Sequence, residues 1–223
     1  MNNILFIDIE TVPLHESWAL LSEKEKQLYA KKTKYLRKDS EPPEAFYERA
    51  GIWAEFGKII CISVARFVWN KGQRQLKVIS FYGDDEEKIL QDFRRLLDNR
   101  HINSKYLLCA HNGKEFDFPF IARRMIIHQI QLPKKLDLFG KKPWEVPHLD
   151  TLELWKFGDY KHFTSLQLLT HILNIPSPKQ DIDGSEVAMV YYQEQNLQRI
   201  VTYCENDTML LRRLSSNFLM SLY

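Results

Sequence analysis

Apolar residues change their spacing along this chain in a way that separates strands from helices. Residues 3–8 (NILFID) form a short run rich in aromatic and β-branched side chains, which predicts a buried strand. Residues 58–68 (KIICISVARFV) and 75–82 (QLKVISFY) predict two more. The "NKGQ" between them carries a turn-forming Asn and Gly and predicts a hairpin. Residues 85–99 (DEEKILQDFRRLLDN) set Ile89, Leu90, Phe93, Leu96 and Leu97 at helical spacing, with acidic residues at the start, where the helix dipole favours them. Residues 106–110 (YLLCA) predict another strand, 117–130 another helix, and 133–147, with three prolines, a loop. "HLDTLELW" opens on a last short strand, and 164–174, 185–195 and 196–217 read as three helices.

Residues 16–50 break the pattern. They are charged, hold Pro42 and Pro43, and include "KEKQLYAKKTKYLRKD". They predict an insertion with some helix lying over the core of a single domain spanning 1–223. Three antiparallel strands followed by alternating helices and strands imply an α/β protein with a mixed five-stranded sheet flanked by helices.

Composition narrows the class. Hydrophobic residues make up 44% and charged residues 27% of the 223, as in ordinary globular proteins. A net charge of +2 excludes a uniformly basic coat but leaves room for a local basic groove. Cys61, Cys109 and Cys204 are odd in number and scattered, which suits a reducing compartment rather than a disulfide framework or a zinc knuckle. No signal-peptide pattern and no membrane-length apolar window is present, so the expectation is a cytoplasmic protein with no membrane partner.

Candidate chemistry enters with the carboxylates. Asp8 and Glu10 lie two apart in a strand, so they share one face, and two like charges there call for a counter-charge. A divalent cation with a taste for oxygen, Mg²⁺ or Mn²⁺, supplies it. Read alone, the pair also suits a strand end open to solvent. In "AHNGKEFDFPFIARR" (110–124), Asp117 falls near the first turn of a helix just beyond a strand's carboxyl end, where open α/β sheets commonly bind ligands. Asn112 and Phe116 offer an amide and an aromatic face to a nucleotide, and Arg123 and Arg124 offer guanidinium groups to phosphate. Asp117 suits a helix cap equally well, and Phe116 suits the core. In "IVTYCENDTMLLRRL" (200–214), Tyr203 and Asp207 share a helix face among apolar neighbours, as a buried or a surface pair.

The three stretches together change the reading. "DIET", "HNGKEFDFPF" and "YCEND" resemble, in that order, the three motifs of the DEDD-type 3′–5′ exonucleases. The Tyr four residues before the last Asp is similar to the DEDDy subgroup. The second motif is similar to the proofreading domain of family B DNA polymerases, and Arg124 falls where those domains often carry Arg. The chain is thereby identified as similar to a stand-alone predicted exonuclease family related to those domains, over residues 5 to about 214. The resemblance implies a ribonuclease H-like fold, with which the predicted order of elements is compatible. It implies that Asp8, Glu10, Asp117 and Asp207 bind two divalent metal ions, and that Tyr203 orients the attacking water. Thr11, Asn112, Phe116 and Arg124 would contact the substrate, the 3′ end of a single-stranded nucleic acid. The implied reaction releases nucleoside monophosphates from DNA, in repair or proofreading. An exoribonuclease of the same chemistry and an inert binding module are the alternatives.

Some features stay open at this level. The 24–38 basic stretch reads as a backbone-tracking groove or as a solvated helix face. Asp150 and Asp183 are further acidic candidates, as supporting groups or as a strand end and a turn. His111 is a candidate brace for the Asn112 loop, while His15, His148 and His162 have no motif.

Overall fold

A computed structural model describes residues 3–38, 40–159, 163–177 and 181–220, without the side chains of 103, 104, 219 and 220. His162 lies outside the described residues.

The strand-forming runs become β1 (Ile4–Pro13), β2 (Gly57–Asn70), β3 (Gln73–Tyr82), β4 (Leu107–Ala110) and β5 (Leu149–Asp150). They make one sheet in the order β3-β2-β1-β4-β5. β1, β2 and β3 are antiparallel, whereas β4 pairs parallel with β1 and β5 parallel with β4. The hairpin turns on Lys71 and Gly72, both at positive φ, the conformation that matches the twist of the flanking strands.

The helices are α1 (Glu23–Thr33), α2 (Glu86–Asp98), α3 (Arg100–Lys105), α4 (Asp117–Ile127), α5 (Thr151–Lys156), α6 (Leu166–Ile172), α7 (Val187–Tyr192) and α8 (Leu197–Met220). α2 starts where its acidic run predicts, capped by the Asp85 carboxylate accepting from Lys88 N–H. Sequence spacing misses α3, because Asn99 ends α2 and at once caps the next helix. It also misses α5, which follows β5 directly under the Asp150 cap.

Because side chains alternate along a strand, β1 feeds two cores. Leu5, Ile7 and Ile9 pack toward Ile89, Phe93, Leu97, Phe118 and Ile121 of α2 and α4. Ile4 and Phe6 pack toward Leu210, Leu211 and Leu214 of α8 and Leu166 and Leu169 of α6. Each such buried side chain contributes about 1.5–3 kcal/mol. That explains why the run is apolar without alternation, and it sends the even positions, Asp8 and Glu10 among them, toward α8.

The insertion holds itself together with an aromatic core of its own. Tyr29 meets Trp18, Tyr47, Trp53 and Phe56 edge-on, and its hydroxyl donates to Phe46 O at 2.7 Å. Several of its cations are engaged locally. Lys26 pairs with Glu23, Lys32 with Glu55, and Arg37 donates to Glu41 O and Ala30 O.

Candidate active site

The site forms where β1 outruns its parallel neighbour. β4 pairs with β1 only from Ile4 to Phe6 and ends at Ala110. Beyond that point one edge of β1 faces the loop 111–116 and the first turn of α4. On the other edge β1 pairs with β2 through Asp8 opposite Ser63 and Glu10 opposite Cys61, and the register then slips between Glu10 and Thr11. Such bulges commonly re-aim side chains beside functional sites.

Asp117 opens α4, is buried, and faces β1. Its carboxyl is pushed up to about 7, chiefly by burial and also by Asp150, while its own N–H and that of Ile9 pull the other way. From the third direction comes α8, bringing Tyr203 and Asp207, both buried. Burial, first, and then the three carboxylates Asp207, Glu10 and Asp8 drive the Tyr203 hydroxyl well above its ordinary range. Asp8 and Glu10 are both raised well above the carboxylate range, first by burial and then by other acids, which for Asp8 are Asp207 and Asp117 and for Glu10 are Asp8 and Asp207. Among the described residues none of Asp8, Glu10 and Asp117 is in an ion pair. Asp8 Oδ2 is buried without a hydrogen-bond partner. Glu10 and Asp117 are buried, Asp8 is half-buried with one orphaned buried oxygen, and acids raise one another's pKa here, an arrangement that fits a divalent cation with hard oxygen ligands.

Sequence reasoning missed Cys204. One oxygen each of Asp8 and Glu10 and the Cys204 sulfur lie within 4.8 Å of one another. Its thiol is close to Asp8 O, at 3.4 Å, and burial and a hydrogen bond with Cys61 push it well up. A protonated, soft sulfur is a poor ligand for Mg²⁺. The signal was available: on α8, Cys204 lies three residues before Asp207, hence on the same side of the helix.

The expected substrate contacts divide. Asn112 stands at φ 61, and its side-chain amide has no hydrogen-bond partner among the described residues. Phe116 is half-buried, packs on the α2–α4 core and touches Phe120 with ring centres 5.4 Å apart. Thr11 donates its hydroxyl proton to Gly51 O at 2.8 Å, leaving its lone pairs and methyl free. Arg124 corrects the sequence expectation. It is 4% exposed, its guanidinium grips Glu86 through Nε at 2.9 Å and Nη2 at 2.5 Å, and Nη1 donates to Ala54 O at 2.8 Å. With its donors so occupied it braces α4 against α2, and substrate phosphate is out of its reach.

Asp150 holds the Asn112 loop. Its carboxylate accepts from Asn112 N–H at 2.9 Å, Lys114 N–H at 3.0 Å and Leu152 N–H at 2.9 Å. Between them Gly113 is obligatory, since a Cβ there would fall 2.3 Å from the Ala110 Cβ. His111 braces the same loop, its ring bridging Thr151 Oγ1 at 2.9 Å and Thr164 O at 2.8 Å. Asp183 is an exposed turn residue accepting from Ser185, and His15 lies beside Glu25 at 3.9 Å. His148 is buried with Nδ1 accepting from Leu108 N–H and Nε2 facing Lys135 O, so it is the neutral tautomer protonated at Nε2.

A mixed five-stranded sheet with helices on both faces, carrying acids at the end of its central strand, defines a ribonuclease H-like α/β fold. Residues 52–211 match the model of a family described as predicted 3′–5′ exonucleases related to the exonuclease domain of PolB, and the chain belongs to that family. Among solved structures it is similar to the family B DNA polymerase from the hyperthermophilic archaeon Pyrobaculum calidifontis, with a TM-score of 0.59 and 12% identity. That alignment covers 98% of this chain and 25% of the polymerase, so the chain spans about a quarter of that protein. The family match begins after β1, and the placement of Asp8 and Glu10 therefore rests on the geometry above.

Proposed function

We propose that this protein is a metal-dependent 3′–5′ exonuclease that removes nucleoside 5′-monophosphates from the 3′ end of single-stranded nucleic acid, DNA in the first place, in repair or proofreading. The observation that carries the reading is the convergence of acids at the end of β1, where Asp8, Glu10 and Asp117 are in no ion pair among the described residues. Asp8, Glu10, Asp117 and Asp207 would hold two divalent ions, Mg²⁺ or Mn²⁺. When bound, such ions neutralise charge developing on the phosphodiester and activate water for in-line attack.

The chain's own residues do the rest. Tyr203 keeps its proton at neutral pH, because burial and three carboxylates oppose its ionisation. It therefore orients water as a hydrogen-bonding group and does not act as the base. Asp207, one helical turn further along α8, is the acid that acts most on that hydroxyl. Asn112, on its clamped loop, offers both a donor and an acceptor to the terminal nucleotide. The half-buried Phe116 offers a ring edge, and Thr11 its remaining lone pairs. Three buried free cysteines suit the reducing cytoplasm. Among the described residues no helix is long and apolar enough to cross a membrane.

The test is digestion of 5′- and 3′-end-labelled single-stranded DNA and RNA with Mn²⁺, Mg²⁺ or EDTA. Stepwise shortening from the 3′ end that EDTA abolishes is the expected result, with DNA the faster substrate. Faster RNA shortening would replace DNA by RNA. No shortening of either, with tight binding to both, would leave an inert binding module. Tyr203→Phe should slow turnover while Mn²⁺ affinity stays within twofold, as expected for a group that does not ligate the ion. Lost affinity would remove the water-orienting role.

A further inference from the structure

The acids and bases of this chain are segregated. Residues 57–82 contain Lys58, Arg66, Lys71, Arg74 and Lys77 and no Asp or Glu. Residues 208–220 contain Arg212 and Arg213 and again no acid. The fold joins these stretches, because α8 packs across the β2–β3 hairpin. Phe67 and Trp69 of β2 point to the α8 side of the sheet, opposite Leu76 and Arg74 of β3. Two guanidinium groups converge on the Phe67 ring, Arg74 at 3.6 Å and Arg212 at 4.8 Å from its centre. Arg212 Nε is buried without a hydrogen-bond partner. Among the described residues, none of Arg66, Arg74, Lys77 and Arg212 is in an ion pair. Burial and the neighbouring Arg74 and Arg213 depress the Arg212 pKa.

Protection of the sheet edge accounts for charges on β3, which has no further strand beyond it. It does not account for an arginine on a helix turned toward another arginine. Stacking on Phe67 attracts each guanidinium to the ring but leaves both charges in place. What the arrangement lacks is an anion. The phosphodiester backbone is the anion that guanidinium forks match. Trp69, 69% exposed beside Arg74, adds a flat face for an unpaired base. The patch lies on the same sheet face as Asp8, and Arg212 follows Asp207 on α8 by about 7.5 Å of helix rise.

We propose that Arg74, Arg212 and Trp69 form a second contact for the single-stranded nucleic acid, holding its backbone on the 5′ side of the end presented to the carboxylates. This rests on the proposed exonuclease reading and adds to it a strand-holding surface. A nucleic acid long enough to reach both places gains affinity there, while a dinucleotide does not.

The test measures binding of a labelled oligothymidylate of roughly 20 nucleotides in EDTA, where nothing is cleaved, by fluorescence anisotropy at several salt concentrations. R74Q/R212Q should bind at least tenfold more weakly, and its log–log salt slope should fall by about two, one per lost phosphate contact. W69A should also weaken binding but leave the slope unchanged. K88Q/R95Q on α2, across the sheet, is the charge-matched control and should stay within twofold of wild type. Dinucleotide hydrolysis by R74Q/R212Q should equal that of wild type. A change below twofold in R74Q/R212Q overturns the proposal, as does an equal loss in the control. Preferential binding of poly-L-glutamate at this patch also overturns it, in favour of an acidic polypeptide partner. The two readings fail separately: patch-dependent binding without shortening would sink the nuclease, and shortening with patch-independent binding would sink the strand-holding surface.

Discussion

Glu86 and the acids at the end of β1 are built in opposite ways. Glu86, at the start of α2, is fully partnered. It accepts from Ile59 N–H at 2.7 Å, from Arg124 through two nitrogens, and it meets His128 Nε2 at 2.8 Å. Asp8, Glu10 and Asp117 are in no ion pair among the described residues, and burial together with neighbouring acids holds their carboxyls above the usual range. The first arrangement satisfies a buried charge so that helices α2 and α4 stay fixed to β2. The second leaves charge unsatisfied at a strand end, which costs stability and is explained by a ligand that brings positive charge. Arg124 shows why a motif match alone misleads here: the same guanidinium that could bind phosphate is the partner that makes Glu86 structural.

The comparison breaks most sharply at the carboxylates. Asp8→Asn or Asp207→Asn should drop cleavage below detection while raising the apo protein's stability, because like-charge repulsion falls. Cleavage assays and thermal melts in EDTA read both, and unchanged cleavage would remove that residue from the metal site. The opposite sign is expected at the partnered group. Arg124→Ala leaves Glu86 buried and unpaired and should cost about 3–5 kcal/mol in urea unfolding. A loss under 1 kcal/mol would mean that Glu86 finds water instead. Next comes Asp150→Asn, which replaces one acceptor oxygen by a donor against the 112–114 loop. Activity should fall roughly 10–100-fold, as is usual when a group supporting ligands is changed, with the fold intact by circular dichroism.

The smallest effect is the pH dependence. A carboxyl raised in the folded state binds protons that the unfolded chain releases, so folding stability declines as pH rises between the two values. For Asp117 that window runs from about 4 to about 7. In EDTA the melting temperature should therefore fall from pH 5 to pH 8, and saturating Mn²⁺ should flatten the curve. His148, lowered to about 4 chiefly by burial, has the opposite slope: its stability is complete above about 6.5 and is lost as pH falls toward 4. That contribution is the same with and without metal, so the difference between the two curves isolates the acids.

Much of this was legible in the residues. The β1, β2 and β3 runs, the hairpin turn and α2 follow from apolar spacing and turn chemistry, because local preference and burial agree there. Asp8 and Glu10 were readable as a same-face pair because β1 is a strand, and Tyr203 and Asp207 because α8 is a helix. The fate of Arg124 was not, since it depends on Glu86, thirty-eight positions earlier, being delivered to the same spot by another helix. Cys204 escaped for the same reason, since its place is set by what β1 brings to it. Asp150 was readable as a supporting acid, but its amide partners exist only once the 111–114 loop reaches it. The paired arginines on Phe67 likewise exist only once α8 crosses the hairpin.

The most direct test of the central claim is a calorimetric titration of Mn²⁺ into the metal-free protein and into Asp8→Asn and Asp207→Asn. The account predicts saturable binding of two ions to the wild type, with at least one site lost in each variant, and no change in Arg74→Gln. Absence of saturable binding to the wild type, or equal binding in all four proteins, would contradict it.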